Sequence, residues 1–134
     1  AKQAVDLHTN TFGQRIACVY CNNYLDKHLV KILDFYRNKR NVILSSLEEH
    51  MPKECSWTKP EGGMFVWVDL PEHLDTKEMF LDAINSNVAY VIGSAFYIDD
   101  KLGRNKMRLN FSYPSDENIN IGVKRISEVI RRWL

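Results

Sequence analysis

No apolar run in this chain approaches the ~20 residues that a bilayer-spanning helix needs, and no secretory leader opens it. Cysteine is scarce: the three present, Cys18, Cys21 and Cys55, are odd in number and set no disulfide framework. That usage suits a reducing compartment, and a cytoplasmic location is expected. An excess of one charge is missing too. Lysine and arginine number 18 against 17 acidic residues, a formal net charge of +1. Such balance gives no reason to expect DNA, RNA or an anionic membrane as partner. Arg125, Arg131 and Arg132 gather near the end, where they suit the last turn of a solvated helix. No internal repeat or low-complexity tract appears. The initiator Met is also absent. Ala1-Lys2-Gln3-Ala4-Val5-Asp6-Leu7 reads as the middle of a helix, so the sequence is expected to begin inside a larger protein.

What is present is 134 residues with 45% hydrophobic content, enough for one domain with one core. Phe12 to Tyr24 favours helix, with Ile16, Val19 and Tyr20 at helical spacing. A longer helix runs from about Leu25 to His50 on the stripe Leu25, Leu29, Leu33, Tyr36, Val42 or Ile43, Leu47. Lys27, Lys31, Arg37, Lys39 and Glu48 form its charged side, and Pro52 stops it. At about 1.5 Å per residue it is longer than a small domain needs, and helices of that length often bridge two bodies.

After Pro52 the period changes. Cys55 to Thr58 suits a short strand, and Lys59-Pro60-Glu61-Gly62-Gly63 is turn chemistry. Met64 to Leu70 alternates Met64, Val66 and Val68 against Phe65, Trp67 and Asp69, which is strand spacing. Asp75 or Thr76 suits the cap of a helix through about Ala83, with Met79, Phe80 and Ile84 inward. Val88 to Ile92 reads as a short buried strand broken by Gly93-Ser94, and Lys106 to Ser112 as the last strand. Ser115-Asp116-Glu117 starts a final helix, capped and acidic in its first turn, with Ile119, Val123, Ile126 and Val129 or Ile130 as its core stripe. The order predicts an α+β fold: a small, mainly antiparallel sheet covered by helices and preceded by a long linking helix.

Along the last strand Met107, Leu109 and Phe111 share one face, which leaves Arg108, Asn110 and Ser112 on the other. A strand arginine is ordinary at a sheet edge or on a solvent face. It is also the group of choice for a pocket that takes a carboxylate, because guanidinium presents a planar fork for bidentate hydrogen bonding. Periodicity alone leaves both readings open.

Three neighbouring motifs bear on the choice. Lys59-Pro60-Glu61-Gly62-Gly63-Met64-Phe65-Val66-Trp67 resembles the P-x-G-G-x-F-x-W segment of class I and II aminotransferases. Val91-Ile92-Gly93-Ser94-Ala95-Phe96 resembles that family's V-x-P-G-x-x-F turn, with Ile92 where proline is usual. Met107-Arg108-Leu109-Asn110-Phe111-Ser112 is similar to its R-L-x-F-S strand. The three fall in family order at family-like intervals, and the resemblance covers essentially the whole chain. The resemblance implies the C-terminal part of a pyridoxal 5′-phosphate-dependent transferase fold, with residues 1–24 ending the large-domain portion and 25–134 forming the small domain. It implies that Arg108 clamps the substrate α-carboxylate, that amino acid and 2-oxo acid are the substrates, and that the parent is a homodimer. The family's cofactor-bearing lysine, the aspartate for the pyridine nitrogen and the phosphate loop match nothing here. No catalytic residue and no bound cofactor are therefore expected in this segment.

Lys2 to Asn10 resembles the stretch after the lysine loop in aminotransferases of the aminoadipate and kynurenine type. That makes His8, Thr9 and Asn10 candidates for approach to a neighbouring subunit's site, although a cap of the next helix is the favoured reading for Thr9 or Asn10. Gly62, Gly63 and Phe96 are candidate cleft residues by motif. Phe65 and Trp67 share a strand face and suit either ligand stacking or packing in a core or an interface, with packing favoured; packing is favoured for Phe96 and Tyr97 too. Cys18-x-x-Cys21 falls inside a helix, away from the N-terminal position that activates a redox pair, and ligands at zinc spacing are too few. His28, His50 and His73 read as solvated. A rival function follows from the same resemblance: the effector-binding, aminotransferase-like domain of a helix-turn-helix transcription regulator.

Overall fold

A computed structural model describes residues 2–99 and 101–134; Ala1, where the helical reading of the N-terminus begins, lies outside them. The chain divides into two compact units, residues 1–35 and 36–134. In the first, α1 (Lys2–Val5) is a single short turn of helix. Leu7 then takes a positive φ of 56°, which ends it. Asn10 caps α2 (Thr11–Asn23), its Oδ1 accepting from the Gly13 amide at 2.7 Å, and this satisfies one of the helix's orphan donors. Tyr24 breaks the helical path with φ −128° before α3 (Leu25–His50) begins. Here His28 is not merely solvated, since its Nδ1 hydrogen-bonds the Tyr20 hydroxyl.

The division between the units falls within α3. In the second unit its apolar stripe is buried as expected at Ile43 and Leu47, whereas Leu29 and Leu33 of the first stay exposed. Lys39, expected on the charged side, is only 7% exposed. Its ammonium ion-pairs with Asp116 at 3.1 Å and donates to the Pro114 carbonyl, so its burial comes with compensation for the charge.

Strands β1 (Ser56–Trp57), β2 (Phe65–Asp69), β3 (Val91–Ile92) and β4 (Lys106–Asn110) form one sheet in the order β1-β2-β4-β3. All its pairings are antiparallel, which agrees with the expected α+β architecture. One face is the core. Val66, Val68, Met107, Leu109 and the following Phe111 are buried there with Ile43 and Leu47. They are joined by Ile119, Val123, Ile126, Val129 and Ile130 of α5 (Asp116–Trp133). Ser115 caps α5, accepting from the Asn118 amide, as its sequence demands.

The segment between β2 and β3 differs from expectation. Helix α4 covers only Phe80–Asn85, and Ile84 is 44% exposed rather than inward. Thr76 does not cap it. Its buried hydroxyl donates instead to the carbonyls of Arg104 and Lys106, 2.9 Å from each, and α4 begins beyond it with no side-chain cap. Asp75 instead accepts from the Lys77 amide at 2.8 Å. β3 is shorter than Val88 to Ile92, with Val91 exposed rather than buried.

Candidate functional site

The second face of the sheet carries the polar residues of β4. Register places Trp67 opposite Arg108, Phe65 opposite Asn110 and Asp69 opposite Lys106, while Val91 flanks Arg108 on the other side. These neighbours are not equivalent in charge. Lys106 Nζ is held by Asp69 Oδ1 at 2.7 Å. Asn110 Oδ1 accepts from the Ser112 amide and hydroxyl, both at 2.7 Å, and closes the turn that ends the strand. Arg108 is different. Its Nε is buried and finds no hydrogen-bond partner among the described residues. A buried charged donor without an acceptor costs on the order of 1–3 kcal/mol or more, a cost that a carboxylate laid along the guanidinium edge removes.

The guanidinium leans diagonally along the strand, a reach that long side chains have between antiparallel neighbours. Its Cζ lies 4.0 Å from the centre of the Phe65 ring and 4.6 Å from that of Phe96. Phe96 meets Trp67 edge-to-face, centroids 5.4 Å apart. Phe65 and Trp67 therefore do not pack in the core; they stand on the Arg108 face, with Phe65 37% and Phe96 46% exposed. Alternation along the strands was enough to put these side chains on one face. The diagonal contact needed the register, which no sequence pattern supplies.

Phe96 reaches this place through Gly93, which opens the 3-10 turn Gly93–Phe96. A Cβ on Gly93 would stand 2.5 Å from the Lys106 carbonyl oxygen and 2.6 Å from the Lys106 Cβ. The turn thus lies against β4 backbone to backbone, two residues from Arg108. Gly62 and Gly63 form the exposed turn before Phe65. Gly63 has φ +79°, and nothing lies within 4 Å of a Cβ at either position. His8, Thr9 and Asn10 belong to the first unit. There Asn10 is engaged as the cap of α2, and Thr9 donates to Asp6 at 3.1 Å.

Among the described residues no group of three or more His, Cys, Asp or Glu side chains could hold a metal, and no helix is long and apolar enough to cross a membrane. Lys39 and Lys106, the lysines drawn into the fold near the sheet, are each held by an aspartate. What the face offers is a guanidinium framed by aromatic rings.

The aminotransferase class I and II family model matches residues 2–126, and the chain belongs to this family. Aromatic-amino-acid aminotransferase 1 of Thermococcus litoralis is 53% identical over 132 residues, 98% of this chain and 31% of its own length. The α-aminoadipate aminotransferase of Thermus thermophilus, crystallised with N-(5′-phosphopyridoxyl)-L-leucine, is similar with a TM-score of 0.88 at 34% identity. That match covers 98% of this chain and 33% of the other. An uncharacterized HTH-type transcriptional regulator of Bacillus subtilis matches at 26% identity over 131 residues, 97% of this chain and 27% of its own length. The chain thus spans about a third of the length of the two aminotransferases and about a quarter of that of the regulator.

Proposed function

We propose that this chain supplies the substrate-carboxylate site of a pyridoxal 5′-phosphate-dependent aminotransferase, and that Arg108 binds the α-carboxylate. The observation that carries the reading is the buried, unpartnered Nε of Arg108 on the second face of the sheet. The longer protein would move an amino group between an amino acid and a 2-oxo acid as a cytoplasmic homodimer, with no nucleic acid or membrane as partner. Residues 1–24 would end its large domain and 25–134 would form the small one. Much higher identity to an aminotransferase than to the regulator favours the enzyme over effector binding.

The cofactor of such an enzyme is an electron sink, and no residue here is assigned to holding it. The contribution of this segment is orientation. Two parallel N–H···O bonds from a planar guanidinium fix both the position and the plane of a carboxylate. With that end fixed, the bond to be broken at the adjacent carbon has a set direction. Orientation of this kind contributes several kcal/mol, up to about 7 in favourable intramolecular cases. Gly62, Gly63 and Phe96 would border the same cleft, and His8, Thr9 and Asn10 would approach a neighbouring subunit's site.

The test is Arg108→Lys and Arg108→Gln in the full-length protein, read as amino transfer from amino acids and from amines that lack the carboxylate. Loss of a charge-assisted pair worth about 1.5–3 kcal/mol predicts roughly a 10- to 100-fold fall in kcat/KM for amino acids. Amines without a carboxylate should be unaffected. An equal loss for both kinds of substrate defeats the carboxylate assignment. The 134-residue chain incubated with pyridoxal phosphate and borohydride should show no single lysine reduced onto the cofactor; one specific modified lysine would refute that part.

A further inference from the structure

We infer that Phe65 and Phe96 are positioning residues: their ring faces hold the guanidinium of Arg108 without spending its N–H donors, which are thereby kept for a carboxylate. The inference rests on the assignment of Arg108 as the carboxylate site, and it concerns how that site is built. Both rings are too exposed for burial to explain where they stand, at 37% and 46%. Their shared neighbour is the cation, 4.0 and 4.6 Å from the ring centres, inside the ~6 Å range in which a ring quadrupole attracts it. Stacking occupies the faces of a guanidinium, while its hydrogen bonds leave in the plane. An arginine held this way is restrained without consuming donors, which is what a buried Nε with no acceptor shows. A carboxylate restraining the same arginine would have used the very edge the substrate needs.

The rings also come from different elements. Phe65 is part of β2, next to the ladder that holds Arg108. Phe96 ends the 3-10 turn and is met edge-to-face by Trp67, whose backbone pairs with Arg108. The stack therefore links strand and turn through one cation. The orientation of the clamp depends on both being in place, and a free arginine side chain, with about 2 kcal/mol of rotamer entropy, is restrained before any ligand arrives.

The experiment is an NMR titration of this chain with acetate, following the Arg108 Nε–Hε signal. Phenylalanine at 65 or 96 is replaced by fluorinated phenylalanines of increasing fluorine content, which keep the ring and drain its quadrupole. Phe65→Leu and Phe96→Leu remove the ring, and Phe65→Tyr and Phe96→Tyr keep it. Each Leu variant should weaken acetate binding roughly two- to tenfold and each Tyr variant restore it. Fluorination should weaken binding in steps and speed exchange of the Nε–Hε proton in the same order. Leu or fluorinated chains that bind acetate like the parent, with the signal unmoved, overturn the inference. Should a Leu variant fail to fold, the fluorinated series decides. Arg108→Lys reports separately on the carboxylate assignment. If it keeps the parent's acetate affinity that assignment fails, while the response of Nε–Hε exchange to fluorination still decides whether the rings hold the arginine.

Discussion

Gly93→Ala is the substitution that most directly couples the fold to the site. The added methyl group meets three obstacles: the Gly103 carbonyl oxygen, the Lys106 carbonyl oxygen at 2.5 Å and the Lys106 Cβ at 2.6 Å. None is the far end of a flexible side chain. Ordinary carbon–oxygen approach is about 3.3–3.6 Å, so the 3-10 turn and β4 must part by roughly 1 Å. The Lys106 carbonyl also accepts the Thr76 hydroxyl at 2.9 Å, so the displacement spreads to the anchored segment before α4. Overpacking of this kind costs about 1–3 kcal/mol, and contacts on backbone put this case at the upper end. For a domain of this size that is a fall in Tm on the order of 10 °C. Gly62→Ala is the control, because it meets nothing within 4 Å, and it should melt within about 2 °C of the parent. Gly63→Ala has the same open space, but its φ of +79° adds about 1 kcal/mol of backbone cost. Thermal unfolding followed by circular dichroism orders the three. If Gly93→Ala melts as Gly62→Ala does, the close approach between turn and strand, and with it the seating of Phe96 over Arg108, is wrong.

Two further expectations concern titration. Burial of Asp75 opposes its ionisation, but the Lys77 and Glu78 amides and the Arg104 guanidinium outweigh it and hold its carboxyl below the ordinary 3.8. A depressed folded value means stability that is present above the unfolded pKa of about 3.9 and lost as pH falls through the folded one. Asp75→Asn should therefore flatten the acid limb of the urea-midpoint profile below about pH 4; an unchanged limb contradicts the assignment. The thiol of Cys55 is pushed up to about 11, chiefly by burial and then by Glu54, with Arg131 acting the other way. A raised folded value costs stability as pH climbs from about 8.5, where the unfolded chain ionises first. At neutral pH a thiol reagent should label the exposed Cys18 and Cys21 at least tenfold faster than Cys55, with the slow reaction tracking unfolding. Three equally fast thiols would show that Cys55 is not enclosed.

Much of this protein was legible because local chemistry decided it. The limits of α3 follow from its stripe and the following Pro52, the start of α5 from Ser115 and its acidic first turn, and the face of Arg108 from alternation with Met107 and Leu109. These features depend on residues a few positions apart, and a sequence displays such spacings directly. The motifs around Gly62-Gly63, Gly93 and Arg108 pointed to the family through their order and intervals. Tertiary structure decided the rest. The burial of Lys39 needed Asp116 and Pro114, more than 70 residues along the chain. Thr76 stands before a helix that starts only at Phe80, and its hydroxyl is turned to the Arg104 and Lys106 carbonyls far along the chain. The placing of Phe65 and Phe96 over one guanidinium required the β2–β4 register and the backbone contact at Gly93. Register is set by the best burial of a whole face, a sum over distant residues that no local window contains.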